Sequence, residues 1–169
     1  MKLIHYSVFA AALLAFSSCG KELSLELGDV NAVKEKQLED LIVMKKFQLK
    51  AFYSDIPIDY VENDDTVKKE TNLWPYVSNY LKDDYNFFQV NGSEVTISQN
   101  ALKMPGLADS LLHKKYFVSK DDNGVYMEFL DYQYQPLKYD VSKVGTNYFL
   151  LSIRWKHGST LYSRFEIIP

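Results

Sequence analysis

The sequence predicts an all-β fold: an eight-stranded antiparallel up-and-down barrel with one or two short helices, or an open β-sandwich built from the same strands. Three observations predict it. Eight segments alternate apolar and polar side chains, the period of a strand with one buried face. Short turns link most of them, so neighbours in the chain should pair antiparallel. Thirteen tyrosines in 169 residues suit strands, because aromatic side chains pack well on a pleated surface. The count then argues for closure. An open meander leaves its outer strands with unpaired backbone groups. Eight strands also make a barrel whose interior just holds side chains or one small ligand. A sandwich of two sheets is the remaining solution.

Taken in order, residues 31–40 place Val33, Gln37 and Leu38 at helical spacing, with Asn31 as N-cap. The first strand is 46–53, with Phe47, Leu49, Ala51 and Tyr53 on one face. Residues 55–71 form a long acidic connection containing Glu62-Asn63-Asp64-Asp65. It lacks the alternating ligands, central glycine and terminal glutamate of a calcium loop, and reads as a solvated loop. Residues 73–81 read as a short helix with Pro75 in its first turn. Trp74, Val77 and Leu81 would share one side of it and pack over a sheet end.

Strands at 85–90 and 93–98 flank Asn91-Gly92, a dipeptide that favours a type I′ hairpin turn. Val95 and Ile97 share a face of the second. Residues 100–113 read as a long loop. Strands at 115–119 and 125–129 flank Asp121-Asp122-Asn123-Gly124, with Val125, Met127 and Phe129 facing one way. Strands at 137–141, 148–155 and 160–168 complete the set, the last two joined by His157-Gly158-Ser159.

Ahead of this domain lies a leader. Met1 and Lys2 precede an apolar run to Phe16, too short to span a bilayer and typical of a secretory signal peptide. Cys19, the only cysteine, follows Ser17-Ser18. With no partner for a disulfide, it is either a plain thiol beside an ordinary cleavage site or an acylation site. Leu13-Leu14-Ala15-Phe16-Ser17-Ser18-Cys19-Gly20 resembles the lipobox of bacterial lipoproteins, and Ser-Ser-Cys-Gly-Lys is similar to the form found in Bacteroidetes. The resemblance implies cleavage before Cys19, a diacylglycerol thioether on its sulfur and an acyl chain on its new amine. It implies a cell-envelope, outer-membrane lipoprotein, facing the periplasm or the exterior, with no cofactor beyond those chains. Residues 1–18 would be the signal peptide, 19–41 a lipidated tether with the short helix, and 42–169 the β domain.

The layout of 42–169, a run of hairpins with a helix before the second strand, resembles the lipocalin-like lipoproteins of Bacteroidetes. In lipocalins a Gly-x-Trp opens the first strand and an arginine near the last strand covers the indole. Lys45-Lys46-Phe47 and Arg164 stand at those places here, so the Gly-x-Trp motif is absent. The resemblance implies an arginine-over-aromatic contact between Arg164 and Phe47.

Composition narrows the function classes. The chain has 19 basic and 22 acidic residues, a net charge of −3, and no basic face to neutralise nucleic-acid phosphates. His113 and His157 read as loop residues without zinc-site spacing. Ser159 beside His157 has no third group to complete a triad. Asp83-Asp84 and Asp121-Asp122 are neighbours in sequence, which puts them at turns or helix ends rather than across a cleft. The sequence therefore predicts no catalytic residues, no metal and no enzyme. It predicts non-catalytic binding of a small apolar ligand inside the barrel by Phe47, Leu49, Val95, Ile97, Met127, Phe129, Tyr139, Phe149 and Ile153. The alternative is an envelope protein- or glycan-interaction module with a filled core, acting through an aromatic rim of Trp74, Tyr76, Tyr132 and Tyr134.

Overall fold

The first and last strands close the sheet on each other. In the computed structural model, β1 (Lys45–Glu62) runs antiparallel to β10 (Thr160–Ile168), from Lys46 opposite Ile168 to Ser54 opposite Leu161. Beyond β10 the wall continues through β9 (Tyr148–Arg154), β8 (Pro136–Val144), β7 (Val125–Leu130) and β6 (Lys115–Lys120). On the other side of β1 come β3 (Tyr85–Phe88), β4 (Val95–Ser98) and β5 (Ser110–His113), while β2 (Thr66–Asn72) pairs with β1 alone. All pairings are antiparallel, and the sheet is nearly closed into a barrel of eight strands. The structure describes residues 28–62, 66–103, 106, 110–113, 115–130 and 136–169, with backbone only at 60–62, 66–68, 110–113 and 157.

The eight expected strands are all present, and two more join them. The acidic stretch after residue 55 is not a loop. It continues β1 and returns as β2, with Asp59 opposite Lys69. Past Ser54 this hairpin leaves the barrel wall, so it has no core-facing side to write an apolar alternation into the sequence. Likewise 110–113 is strand β5, paired with β4.

The helices also differ from expectation. α1 (Val30–Ile42) is capped by Asp29, whose carboxylate accepts from the Asn31 and Ala32 amides. The Asn31 side chain instead donates to the Asp121 carbonyl at 3.0 Å. Expected within a tether, α1 gives Leu38, Leu41 and Ile42 to the barrel core. The helix expected at 73–81 breaks in two. Trp74–Tyr76 is a 3-10 turn, Val77 is extended, and Ser78 caps a new helix, α2 (Asn79–Asp83). Proline suits that first turn, but the serine hydroxyl accepting from the Leu81 amide restarts the helix. The expected stripe is lost: Leu81 is exposed, and the side chain buried here is Leu73.

The gap in the barrel falls between two neighbours in the chain, β5 and β6, and is bridged from the β3–β4 turn. Tyr116 donates its amide to the Ser93 carbonyl and accepts from the Gly92 amide. Asn91 then acts as a substitute for a strand peptide. Its Oδ1 accepts from the Val118 amide at 2.8 Å, and its Nδ2 donates to the Val118 carbonyl at 3.1 Å. This is why the turn is not type I′. Gly92 alone has positive φ, +79°, and the Ser93 amide bonds to the Val90 carbonyl, the pattern of a type II turn. Asn91→Ala leaves both Val118 groups without this partner and is expected to cost about 1–3 kcal/mol, read as a lower urea midpoint. A variant as stable as the parent would show that the carboxamide does not hold the seam.

One end of the barrel is filled. Phe47, Phe88, Val95, Tyr116, Val118, Val125, Met127, Val141 and Phe149 pack there, and α1 lies over β1, β6, β7 and β8 as a plug. The rings of Phe47 and Phe149 sit 5.0 Å apart, with Phe88 edge-on to both. The Tyr116 hydroxyl donates to the Gln89 carbonyl at 2.6 Å, and burial pushes its pKa up to about 12. Phe47 faces this core, whereas Arg164 stands 4.3 Å from the Tyr148 ring centre and 3.0 Å from Glu166. The arginine-over-Phe47 contact implied by the lipocalin resemblance is therefore absent. Arg164 pairs in register with Ala51, one position out of phase with the inward-facing Phe165.

Candidate functional site

Away from the plug, the described residues leave part of the barrel interior unfilled. Six strands place inward residues around a cavity of about 170 Å³. Phe129 comes from β7, Leu137 and Tyr139 from β8, Leu151 from β9, and Phe165 with Ser163 from β10. The far wall is Asn86 of β3 and Ile97 of β4, which stand opposite each other in register. The inward phase is set by period 2, so Ser163 shares a face with Leu161 and Phe165.

The chemistry of this pocket is apolar with a small polar element. Three rings and three aliphatic chains line it; the Tyr139 ring meets Phe129 edge-on at 5.9 Å, and the Phe165 ring stacks on Phe149 at 5.2 Å. Phe165 thus forms the floor between cavity and plug. The Asn86 carboxamide and the Ser163 hydroxyl are the polar groups. Burial raises the Tyr139 pKa, which keeps its phenol neutral. A cavity near 150 Å³ with such walls takes a benzene-sized guest, while drug-sized sites span roughly 300–1,000 Å³. The space fits one ring or a short alkyl chain, not a whole lipid tail.

The residues expected to line a ligand site divide accordingly. Ile97, Phe129 and Tyr139 do line the cavity. Phe47, Val95, Met127 and Phe149 are in the filled plug, without contact to the open space. Leu49 and Ile153 are half-buried, opposite Phe165 and Leu161, outside the cavity wall. Trp74 is half-buried in its 3-10 turn, with the Lys82 ammonium 5.1 Å from its ring, and Tyr76 follows it. Neither Trp74 nor Tyr76 borders the cavity. Tyr132, Tyr134 and Cys19 lie outside the described residues, as do the side chains of His113, in β5, and His157.

Sequence reasoning missed Asn86, Leu137, Leu151, Ser163 and Phe165. Leu137 and Phe165 stand in clean alternations and were legible as inward residues, whereas Leu151 follows Leu150 in an apolar pair that leaves its phase open. Asn86 and Ser163 were not, because a polar side chain on the inward phase reads as a break in the pattern. The carboxylate neighbours behave as turn and helix ends. Asp83 accepts from the Leu102 amide at 2.7 Å, and Asp84 follows the last turn of α2, its pKa raised by burial and by Asp83. Asp121 accepts from the Asn123 and Gly124 amides and the Tyr126 hydroxyl, which lowers its pKa. Among the described residues no three histidine, cysteine or acidic side chains gather where a metal would sit, and no helix is long and apolar enough to cross a membrane.

Fold and cavity together define the class: a nearly closed antiparallel β-barrel plugged by a helix at one end, with a small apolar cavity among its described residues toward the other. No family model, curated protein or solved structure matches the chain.

Proposed function

We propose that this protein is an envelope lipoprotein that binds a small apolar ligand without transforming it. The observation that carries this reading is the 170 Å³ cavity lined mainly by Ile97, Phe129, Leu137, Tyr139, Leu151 and Phe165. The ligand class is a single ring or short chain bearing at most one polar group, which Asn86 or Ser163 would meet. Anchoring through acyl chains on Cys19 keeps the domain at a membrane surface. Eight residues separate Cys19 from Gly28, nine steps with a reach of at most about 30 Å. In the chain they lead into α1, the helix that covers the plugged end.

Thermal unfolding of the purified protein with benzene, phenol and toluene tests the site. At ten times its dissociation constant a bound ligand adds about 1.4 kcal/mol, which raises Tm by roughly 3–6 °C for a chain of this size. Ser163→Leu fills the cavity and is expected to abolish that rise while preserving the fold. An unshifted Tm with all three compounds would remove the reading, and so would a shift that survives Ser163→Leu.

A further inference from the structure

We propose a second, chemically distinct site outside the barrel interior: a groove that receives a sugar ring carrying a carboxylate. It lies between the outgoing β1–β2 hairpin and the β9–β10 turn, shares no residue with the apolar cavity, and encloses about 410 Å³. That volume is within the range of small-molecule sites. The proposal does not rest on the apolar-ligand reading.

Both walls of the groove are held in place. In β1 the register shifts between Tyr53 and Ile58, a bulge that swings the strand away from β10. The Ser54 hydroxyl donates to the Ile56 carbonyl at 2.7 Å, fixing the bulge. Asp55 then bolts the walls together: one carboxylate oxygen accepts from the Ile56 amide at 2.9 Å and the Thr160 amide at 2.8 Å. Those bonds lower the Asp55 pKa and keep it ionised. The opposite wall is a closed turn. The Trp155 amide donates to the Ser159 carbonyl at 2.8 Å, and the buried Ser159 hydroxyl donates to the Lys156 carbonyl at 2.8 Å.

What these walls present is an indole beside charges. Trp155 is 51% exposed and Ile56 45%, the two large apolar side chains the groove leaves open to solvent. Asp59, Lys69 and Lys156 border the same space. A sugar ring has the matching character, with an apolar C–H face to lie on the indole and hydroxyls at its edge for charged partners. Among the described side chains two ammonium groups and one carboxylate line the groove, while the Asp55 carboxylate does not line it and is engaged by the Ile56 and Thr160 amides, a balance that favours an anionic ring over a neutral one. An added peptide strand fits less well. Pro57 and the bulge interrupt the β1 edge that such a strand would have to follow.

The test is tryptophan fluorescence of the protein titrated with sodium galacturonate and, in parallel, galactose, each to about 20 mM, where a weak single-sugar site would fill. Trp74→Phe serves as background, so that Trp155 carries the signal. A saturable change with galacturonate is expected, at least tenfold weaker with galactose. Binding followed by calorimetry should fall at least tenfold in Trp155→Ala and severalfold in Lys69→Gln and Lys156→Gln, all exposed positions whose Tm should stay near the parent's. No saturable change with either sugar overturns the proposal. Equal binding of galactose, or galacturonate binding untouched in the lysine variants, overturns the anionic assignment. Binding that survives Trp155→Ala overturns the site.

Discussion

Phe149→Ala should cost about 3–5 kcal/mol, the range for removing a large aromatic side chain from a core. Phe149 is fully buried and touches three rings: Phe47 at 5.0 Å, Phe88 at 6.0 Å and Phe165 at 5.2 Å. It ties β9 to β1 and β10 beneath the helical plug, so its neighbours belong to three closed strands and cannot collapse freely into the space left. A large residual cavity and a cost near the upper end follow. Chemical denaturation at two protein concentrations reads the loss as a lower midpoint with an unchanged slope. There is a second consequence. Phe165 stacks on Phe149 and floors the ligand cavity, so the truncation should join plug space to cavity space. Naphthalene, too large for the parent, should then stabilise the variant. A loss below about 1 kcal/mol would mean the plug is not packed as described.

Cys19→Ser should transfer the protein from the membrane fraction to the soluble one. Each buried methylene contributes about 0.8 kcal/mol, and two or more acyl chains anchor stably where one does not. Removing the thiol removes the attachment point for the thioether-linked pair. The expected result is a membrane-bound fraction reduced at least roughly tenfold, with labelled fatty acid incorporated into the parent and not into the variant. Label in Cys19→Ser, or its absence from the parent, would refute the lipid anchor. The described core is built from Leu38 onward, so the variant should unfold at the same denaturant concentration as the unlipidated parent.

These two experiments probe different kinds of legibility. Period-2 alternation marked β7, where Val125, Met127 and Phe129 do face inward, and β10, whose bounds at 160–168 match the structure. Such strands have one wall of core and one of solvent, and that asymmetry is written directly into residue order. The β1–β2 hairpin was misread for the opposite reason. Past Ser54 it pairs with no barrel strand but β2, so its acidic composition carries no core signature. The helix at 73–81 failed through local competition, since Ser78 offers a cap that restarts the chain after Pro75.

The candidate site divides in the same way. Sequence alone determined that nine side chains would point into a barrel, because inward phase is a local property. Whether a given inward residue meets another side chain or open space depends on which layer of the barrel it occupies and on what covers that layer. Phe47, Met127 and Phe149 lie in the layer beneath α1 and are packed solid; Phe129 and Tyr139 lie one layer outward and border the cavity. No spacing within a strand records that difference. It arises where α1 lays Leu38, Leu41 and Ile42 across one end only. Sequence determined the wall, and only the docking of a helix expected in the tether decided which end of the wall is closed.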